Sequence, residues 1–396
     1  MSDAQQLRPF ETHGADCTVR LVRIIVAPDK FRGTLTARQA AEAFATGWRR
    51  QRPGDDLDLV PMADGGEGTM DALVDALSGR IERATVSGPL GDPVDAAFGI
   101  ASTADGVLGV VEMARASGLD LLDPTRRDPL RTSTRGTGEL IARSIEAGAR
   151  RLVVCIGGSA TNDGGAGMAA ALGARFLDAS GTPLTDGGAE LGALAHIDLS
   201  ALHAGLARVS VTGACDVDNP LTGPSGASEI YGPQKGASRD DIVTLDRALG
   251  HLATVVERDL GVNLRDEPGA GAAGGLGFGL MAFCGAKLHP GVQVVMDAVG
   301  LGDRIAGADL VITGEGSLDE QSLHGKVPAG VLRACELAGV PVAIVCGRAT
   351  IELEVPVFSL VERVGERASL ADARTALIDA AEDMAGRVGE LAGAPR

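Results

Sequence analysis

Acidic side chains recur in glycine- and alanine-rich stretches that follow short apolar runs, a setting suited to phosphoryl transfer. Such a site needs carboxylates for a magnesium ion, glycine-loop N–H groups for phosphate oxygens, and one acid to accept a hydroxyl proton. The acids in this setting are Asp29, Asp64, Glu67, Asp163, Asp216, Glu315 and Asp319. Cations placed in similar motifs, which could bind anionic groups, are Lys30, Arg32, Arg135, Lys235 and Lys326.

The stretch at residues 155–167, CIGGSATNDGGAG, is the clearest candidate for a ligand-binding loop. The apolar run at residues 152–156 predicts a short buried strand before it, and small residues at 168–174 predict a helix after it. Glycines leave the main chain open to a ligand, and a helix start adds unpaired N–H groups. We expect a phosphate or carboxylate to bind here, although a turn that binds nothing would have the same pattern.

Composition limits the classes of partner. The net charge of −17 argues against nucleic acid as the main partner, and no apolar run reaches the length of a membrane span. The six cysteines include no CxxC pair, so we expect reduced thiols in a cytoplasmic protein. A length of 396 residues and a hydrophobic content of 45% favour two domains with ample cores.

Apolar runs alternate with helical patterns near both chain ends, which is typical of α/β folds. Strands are predicted at residues 23–27, 58–62, 309–313 and 340–346. Helices are predicted at residues 37–48, after a Thr36 N-cap, and at 70–77 and 328–338. In the middle, strands at 82–87, 94–100 and 107–113 predict antiparallel or mixed pairing, residues 213–238 a long loop, and 240–260 a helix.

The similarity of the two chain ends predicts a split domain with an insertion. We expect one α/β domain from residues 21–80 plus 290–396, an inserted mixed-sheet α/β domain at 81–289, and a loose extension at 1–20. Ligands of open α/β sheets bind beyond the carboxyl ends of the strands. The loops after Ala27, Met62, Thr313 and Cys346 would then share one rim.

Several common signatures are absent or incomplete. GPQKGA and LHGKVP lack the Ser or Thr that completes a phosphate-binding P-loop. The spacing in GAGAAGGLG is similar to a dinucleotide fingerprint, but no convincing strand leads into it. No zinc-ligand spacing and no GxSxG motif occur. A nicotinamide-dependent hydroxy-acid dehydrogenase and a non-catalytic sugar-acid sensor remain as alternatives to a kinase.

Ten motifs, in order, resemble the bacterial glycerate kinase type-1 family. They are APDKFRGTLTA, PMADGGEGT, SGPLGDPV, EMARASGL, TRGTGELI, GGSATNDGG, CDVDNPLTGPSGAS, GPQKGA, GAGAAGGLG and TGEGSLDEQS. The resemblance implies phosphorylation of D-glycerate by ATP with Mg²⁺, giving 2-phosphoglycerate, with a 3-kinase as the alternative. It also implies two α/β domains, one of Rossmann or flavodoxin-like layout, with the site between them. The implied partner is the small-molecule substrate, and a homodimer stays open.

Two departures from the family pattern affect the expected substrate contacts. Where the family commonly reads APDSFKGS, this chain has Lys30 in place of the Ser and Arg32 in place of the Lys. Ser317 follows GEG, where the family often has Arg. A cation is retained in the first motif and one positive charge is missing from the second.

The expected site residues fall into four groups. Catalytic roles are expected for Asp64, Asp163, Asp319 and Lys326, and metal binding for Asp64, Glu315 and Asp319. Substrate contacts are expected from Lys30, Arg32, Arg135, Ser159, Asn162 and Lys235. The residues expected to bind the nucleotide are Gly157, Gly158, Thr161, Gly164, Gly165, Gly271, Gly274 and Gly275.

Overall fold

The structure, a computed structural model, describes residues 21–31, 33–323 and 325–392. The predicted extension at 1–20 and the predicted substrate residue Arg32 lie outside the described residues. The strands are β1 (Arg23–Pro28), β2 (Asp56–Leu59), β3 (Arg80–Ser87), β4 (Pro93–Thr103), β5 (Gly106–Glu112), β6 (Arg151–Cys155), β7 (Arg175–Leu177), β8 (His196–Asp198), β9 (Ser210–Ala214), β10 (Lys287–His289), β11 (Leu310–Leu318), β12 (Val342–Ala349) and β13 (Val357–Ser359).

Helices of very different lengths connect these strands. They are α1 (Ala37–Gln51), α2 (Thr69–Ala76), α3 (Ala114–Ser117), α4 (Arg135–Glu146), α5 (Ala166–Ala171), α6 (Ala227–Tyr231), α7 (Arg239–Leu260), α8 (Ala272–Cys284), α9 (Gly291–Val299), α10 (Leu301–Ala306), α11 (Val327–Ala338), α12 (Leu360–Val364), α13 (Glu366–Ala371), α14 (Ala373–Gly386) and α15 (Val388–Leu391). Thr36 caps α1 as predicted, in a reciprocal capping box with Gln39.

Both chain ends contribute to one parallel sheet, in the order β13-β12-β11-β1-β2. The strands predicted near its centre are confirmed. The predicted strand at 58–62 is displaced, since β2 ends at Leu59. Val60 and Met62 continue alongside β1 through backbone hydrogen bonds to Val26 and Pro28.

The middle of the chain forms a second sheet, in the order β10-β9-β6-β5-β4-β3. Strands β3, β4 and β5 pair antiparallel, and β5, β6, β9 and β10 pair parallel, so the predicted mixed sheet is confirmed. The mixed α/β fold class is likewise confirmed. Strands β7 and β8 form a separate antiparallel pair.

The two sheets share one hydrophobic layer. Ile25 on β1 and Val153 on β6 both belong to a core that includes Met70 of α2 and Val295 of α9. Outside this layer, Ile24 packs with Trp48 of α1, and Leu152 and Val154 pack with helices on the far side of the second sheet. Central strands are therefore apolar on both faces, as expected for parallel sheets covered on both sides.

The proposed division into domains stays a prediction. The first sheet uses residues 23–59 and 310–359, and the second uses residues 80–289. Helices α2 and α9 contact each other, and α2 also contacts β4 and β5. The two sheets are thus joined by packed helices as well as by the chain connections.

The segment predicted as a long loop at 213–238 contains more structure than expected. It begins at the end of β9, a strand the sequence analysis missed, and includes α6 and a short 3₁₀ turn at Pro233–Lys235. Strand β9 reads SVTGA, so it lacks the strong apolar run that marks its neighbours. Its position between β6 and β10 buries it instead.

Candidate active site

Three acids converge at the carboxyl rim of the first sheet. Asp29 follows β1, Asp64 follows the extension of β2, and Glu315 lies in β11. Asp29 is only 5% exposed, and burial together with the negative charge of Asp64 raises its pKa to about 7. Burial also raises the pKa of Glu315, an effect that Lys326 opposes. The segments after Ala27 and Met62 lie at one edge with Glu315 because β1, β2 and β11 run parallel. The loops expected directly after Thr313 and Cys346 start later, since β11 continues to Leu318 and β12 to Ala349.

The acids on this rim differ in whether their carboxylate oxygens already accept hydrogen bonds from the protein. Oε1 of Glu315 is buried and has no hydrogen-bond partner, whereas Oδ1 of Asp64 accepts from the Gly66 N–H at 3.1 Å. Oδ1 of Asp319 accepts from Gln321 N at 2.9 Å. Among the described residues, no group of three or more acidic, histidine or cysteine side chains is spaced to hold a metal ion. An ion bound here would therefore need water or substrate oxygens in addition to side chains of this rim.

A cavity of about 390 Å³ opens where the carboxyl ends of β6 and β9 face the loop after β2. Its lining combines Gly65 and Gly66, in the loop after β2, with loops of the second sheet. The residues from the second sheet include Leu119, Gly157, Gly158, Ser159, Cys215, Asp216, Val217, Tyr231 and Lys235. Four of these were expected from the sequence as binding residues: Gly157, Gly158, Ser159 and Lys235. Of the others, Leu119 lies in the motif EMARASGL, and Cys215, Asp216 and Val217 lie in CDVDNPLTGPSGAS, whereas Tyr231 lies outside the quoted motifs. Asp216 was expected among the glycine-loop acids, and no role was predicted for the rest.

Lys235 is the most unusual group of the cavity. Its side chain is 1% exposed, and Nζ donates to Ser159 Oγ at 2.7 Å and to the Thr161 carbonyl at 2.8 Å. Burial lowers its pKa to about 7, against the opposing charge of Asp163. The ammonium group is therefore close to losing its proton at neutral pH, and an arriving anion would restore its charge.

Asp163 does not have the position expected of a catalytic base or metal ligand. It is 1% exposed, and its carboxylate accepts hydrogen bonds from Thr134 N and Oγ1, Gly165 N and Gly167 N, at 2.8 to 3.2 Å. Burial raises its pKa and these hydrogen bonds lower it. This geometry argues against the catalytic role expected for Asp163, because four hydrogen bonds to its carboxylate hold the 163–167 turn to the start of α4.

Most of the predicted nucleotide-binding glycines serve close packing within the chain. A Cβ on Gly164 would lie 2.4 Å from Leu252 Cδ2, and one on Gly274 would lie 1.9 Å from the Thr161 carbonyl oxygen. The remaining three, Gly165, Gly271 and Gly275, likewise face backbone atoms within 3 Å. Of the predicted nucleotide-binding glycines, Gly157 and Gly158 line the cavity. A Cβ on Gly157 would lie 3.9 Å from the nearest atom beyond its chain neighbours, the Gly66 Cα.

Other predicted substrate residues lie away from the cavity surface. Arg135 makes a two-bond ion pair with Asp186, at 2.6 and 2.7 Å, and is not part of the lining. Asn162 is fully buried, donates to Ser228 Oγ at 3.0 Å, and leaves Oδ1 without a partner. Lys30 does remain at the first rim, where Nζ donates to the Glu67 carbonyl.

The position of Ser317 has a cation beside it on the next strand. Ser317 of β11 is the register partner of Arg348 of β12, whose guanidinium donates to Glu366. Sequence reasoning missed this arginine because the strand pairing joins residues that are 31 positions apart in the sequence.

No helix in the described part of the chain is long and apolar enough to cross a membrane.

Comparison with known proteins agrees with this architecture. The chain matches the model of the Glycerate kinase family over residues 24–389. It is 52% identical to a glycerate kinase of Bacillus subtilis (strain 168), over 82% of this chain and 85% of that protein. It is 47% identical to the glycerate 2-kinase of Escherichia coli (strain K12), over 87% of this chain and 92% of that protein.

A solved structure extends the likeness to three dimensions. It is a crystal structure from Salmonella typhimurium LT2, provisionally assigned as glycerate kinase 2, which is 43% identical and superposes with a TM-score of 0.87. The match covers 94% of this chain and 99% of that one. The resemblance seen in the sequence motifs is thereby confirmed, together with the expectation of a kinase: the chain belongs to the glycerate kinase family.

Proposed function

We propose that the chain transfers the γ-phosphoryl group of ATP to the 2-hydroxyl group of D-glycerate. Family membership carries this proposal, and the Escherichia coli relative named as a glycerate 2-kinase favours the 2-hydroxyl over the 3-hydroxyl. A dehydrogenase has less support, because no strand leads into the glycine-rich segment through the described residues 261–270. Cytoplasmic location and a homodimer remain predictions.

The cavity supplies groups suited to phosphate. Gly157 and Gly158 leave the main chain accessible, and Lys235 with Ser159 can donate hydrogen bonds to phosphate oxygens. Apolar side chains, Leu119, Val217 and Tyr231, contribute to the same lining. We infer that the nucleotide occupies this cavity, since a volume of about 390 Å³ exceeds the needs of a three-carbon acid.

The acidic rim is suited to the transfer itself. We assign Asp64 as the acceptor of the glycerate hydroxyl proton, because the loop that it begins reaches the cavity through Gly65 and Gly66. Lys30 and Lys326 would bind the glycerate carboxylate and balance the charge on the transferred group. When ATP and glycerate are bound, the positive charges of these lysines offset the negative charges of the acids, which would otherwise repel the anionic substrates.

The same rim is suited to a magnesium ion that takes only one or two ligands from the protein. Glu315 has a buried, unpartnered oxygen, and Mg²⁺ usually takes one or two carboxylates together with waters and substrate phosphates. This agrees with the lack of a larger ligand cluster among the described residues. We propose Glu315 and Asp319 as its ligands, with Asp64 adjacent. When bound, the ion would neutralise charge on the phosphates.

The direct test is ADP release from ATP in the presence of D-glycerate, with and without excess EDTA. We expect turnover that requires both D-glycerate and a divalent cation. L-glycerate serves as a matched control for recognition of the hydroxyl. Turnover that is unchanged by EDTA would contradict the magnesium proposal, and oxidation of NADH with hydroxypyruvate in the absence of kinase activity would favour the dehydrogenase.

A further inference from the structure

We propose that Glu112, Arg115 and Asp71 form a brace that fixes the separation of two cavity walls, making Glu112 and Arg115 positioning residues for phosphoryl transfer. One wall is the loop after β2, which carries Asp64, and the other is the loop after β6. The activity readout of this inference rests on the proposed function.

The first connection of the brace reaches the Asp64 loop through the start of α2. Helix α2 has Gly68 at its N-cap position and no side-chain cap of its own. Glu112, the last residue of β5 in the other sheet, accepts from Met70 N at 2.9 Å and so satisfies one of the open N–H groups of this helix. Arg115 donates to Asp71 on the same turn at 2.6 Å. The second sheet thus holds the helix that ends the Asp64 loop.

The second connection reaches the wall at residues 157–160. The short helix α3 carries Arg115, and the residues directly after it pair with this wall. Leu119 N donates to Gly158 O at 2.8 Å, Ala160 N donates to Ser117 O at 2.9 Å, and Gly118 and Ser159 form an isolated bridge. A displacement of α3 would therefore move the wall that presents Ser159 to the cavity.

The two connections meet in an ion pair between the buried carboxylate of Glu112 and the half-buried guanidinium of Arg115. Arg115 Nε donates to Glu112 Oε2 at 2.8 Å, and the Glu112 side chain is 4% exposed. Breaking this pair leaves the buried carboxylate uncompensated, which is strongly unfavourable. A planar guanidinium can bond two carboxylates at fixed angles, which a lysine ammonium does not reproduce. The motif EMARASGL, which contains both residues, gains a role from this geometry.

The test compares Arg115→Ala with Arg38→Ala in the full-length protein. Arg38 pairs with Asp75 at 3.0 Å, so it ties the other end of the same helix and is a matched control. We expect Arg115→Ala to lower kcat by about 10- to 100-fold with KM for either substrate changed less than about threefold, because misplacement affects the reacting geometry. Arg38→Ala should stay within about twofold of wild type. Added guanidinium should restore part of the lost kcat, and Arg115→Lys should restore little.

Hydrogen exchange gives a second readout that needs no activity. Arg115→Ala should speed exchange in both walls, at residues 66–71 and 157–160, and Arg38→Ala should not. A kcat for Arg115→Ala within twofold of the Arg38→Ala value would overturn the brace. So would faster exchange confined to residues 112–117. If Arg115→Ala fails to fold, Glu112→Gln, which keeps an acceptor for Met70 N, replaces it under the same criteria. A wild-type protein without kinase activity would instead refute the proposed function, and the exchange data would still decide on the brace.

Discussion

Replacing Lys235 by Met tests the assignment of the cavity to phosphate. The lysine is 1% exposed, and its Nζ donates hydrogen bonds to Ser159 Oγ and the Thr161 carbonyl. Methionine fills a similar volume without a charge or donor. We expect kcat/KM for ATP to fall by about 10²-fold, the scale for removing one preorganised donor from a developing anion.

The magnitude of the accompanying change in stability follows from the buried charge. Burial lowers the lysine pKa from 10.5 to about 7. Between these values the unfolded chain binds the proton and the folded chain does not, so this residue makes stability rise with pH across that window. From about pH 7 to pH 9 the expected gain is about 2 kcal/mol, at about 1.4 kcal/mol per pH unit less the part already titrated near pH 7. Lys235→Met should lack this gain.

The assay combines urea unfolding with calorimetry of ATP binding. Phosphate near Lys235 favours its charged form, so binding at about pH 8 should take up close to one proton, detected by comparing buffers of different ionisation enthalpy. Lys287→Met, at an exposed lysine, is the control. Equal proton uptake and equal pH dependence of stability in wild type and Lys235→Met would refute the placement of phosphate beside this lysine.

Four further predictions concern the acidic rim and the loop at residues 155–167. Asp163→Asn should destabilise the protein to urea by about 1 to 3 kcal/mol, since an amide places donors against the N–H groups that now donate to the carboxylate; unchanged stability would return Asp163 to the list of candidate bases. Gly164→Val should prevent soluble folding because of its φ of +62° and the contact with Leu252, whereas alanine at Gly261, where φ is +74° and no atom lies within 4 Å, should cost far less. Asp64→Asn should lower kcat by at least about 10²-fold with the unfolding midpoint unchanged. Lys326→Met should lower kcat by about 10- to 10³-fold with a smaller effect on KM. A change in kcat below about twofold would remove the residue concerned from the mechanism.

Local patterns were sufficient to predict the three central strands of the first sheet, β1, β11 and β12, but not the edge strand β13 or the bounds of β2. Apolar runs such as residues 23–27 are long enough to mark a strand, and parallel strands bring the acids that follow them to one edge. The prediction that the segments after Ala27, Met62 and Thr313 lie at one rim needed no knowledge of the other sheet. The missed strand β9 shows the limit, because small residues such as those of SVTGA become a strand only through their neighbours.

The roles of the glycines and of Asp163 depend on contacts distant in sequence. Gly274 allows the first turn of α8 to approach Thr161, and Gly164 accommodates Leu252 of α7. A glycine-rich loop that packs against another loop reads the same in sequence as one that binds a ligand. In the sequence Asp163 likewise looks like an unpaired loop acid, and only the structure shows that Thr134 donates a hydrogen bond to it. The burial of Lys235 had no local signal either.

Identification of the product is the most direct test of the central claim. Purified protein with ATP, Mg²⁺ and D-glycerate should yield a single phosphate ester whose phosphorus couples to the one proton on C2 in a ³¹P NMR spectrum. A signal coupled to the two protons on C3 would contradict the proposed 2-phosphoglycerate and indicate the 3-kinase. Absence of any phosphate ester, with ATP intact, would contradict the proposed kinase function itself.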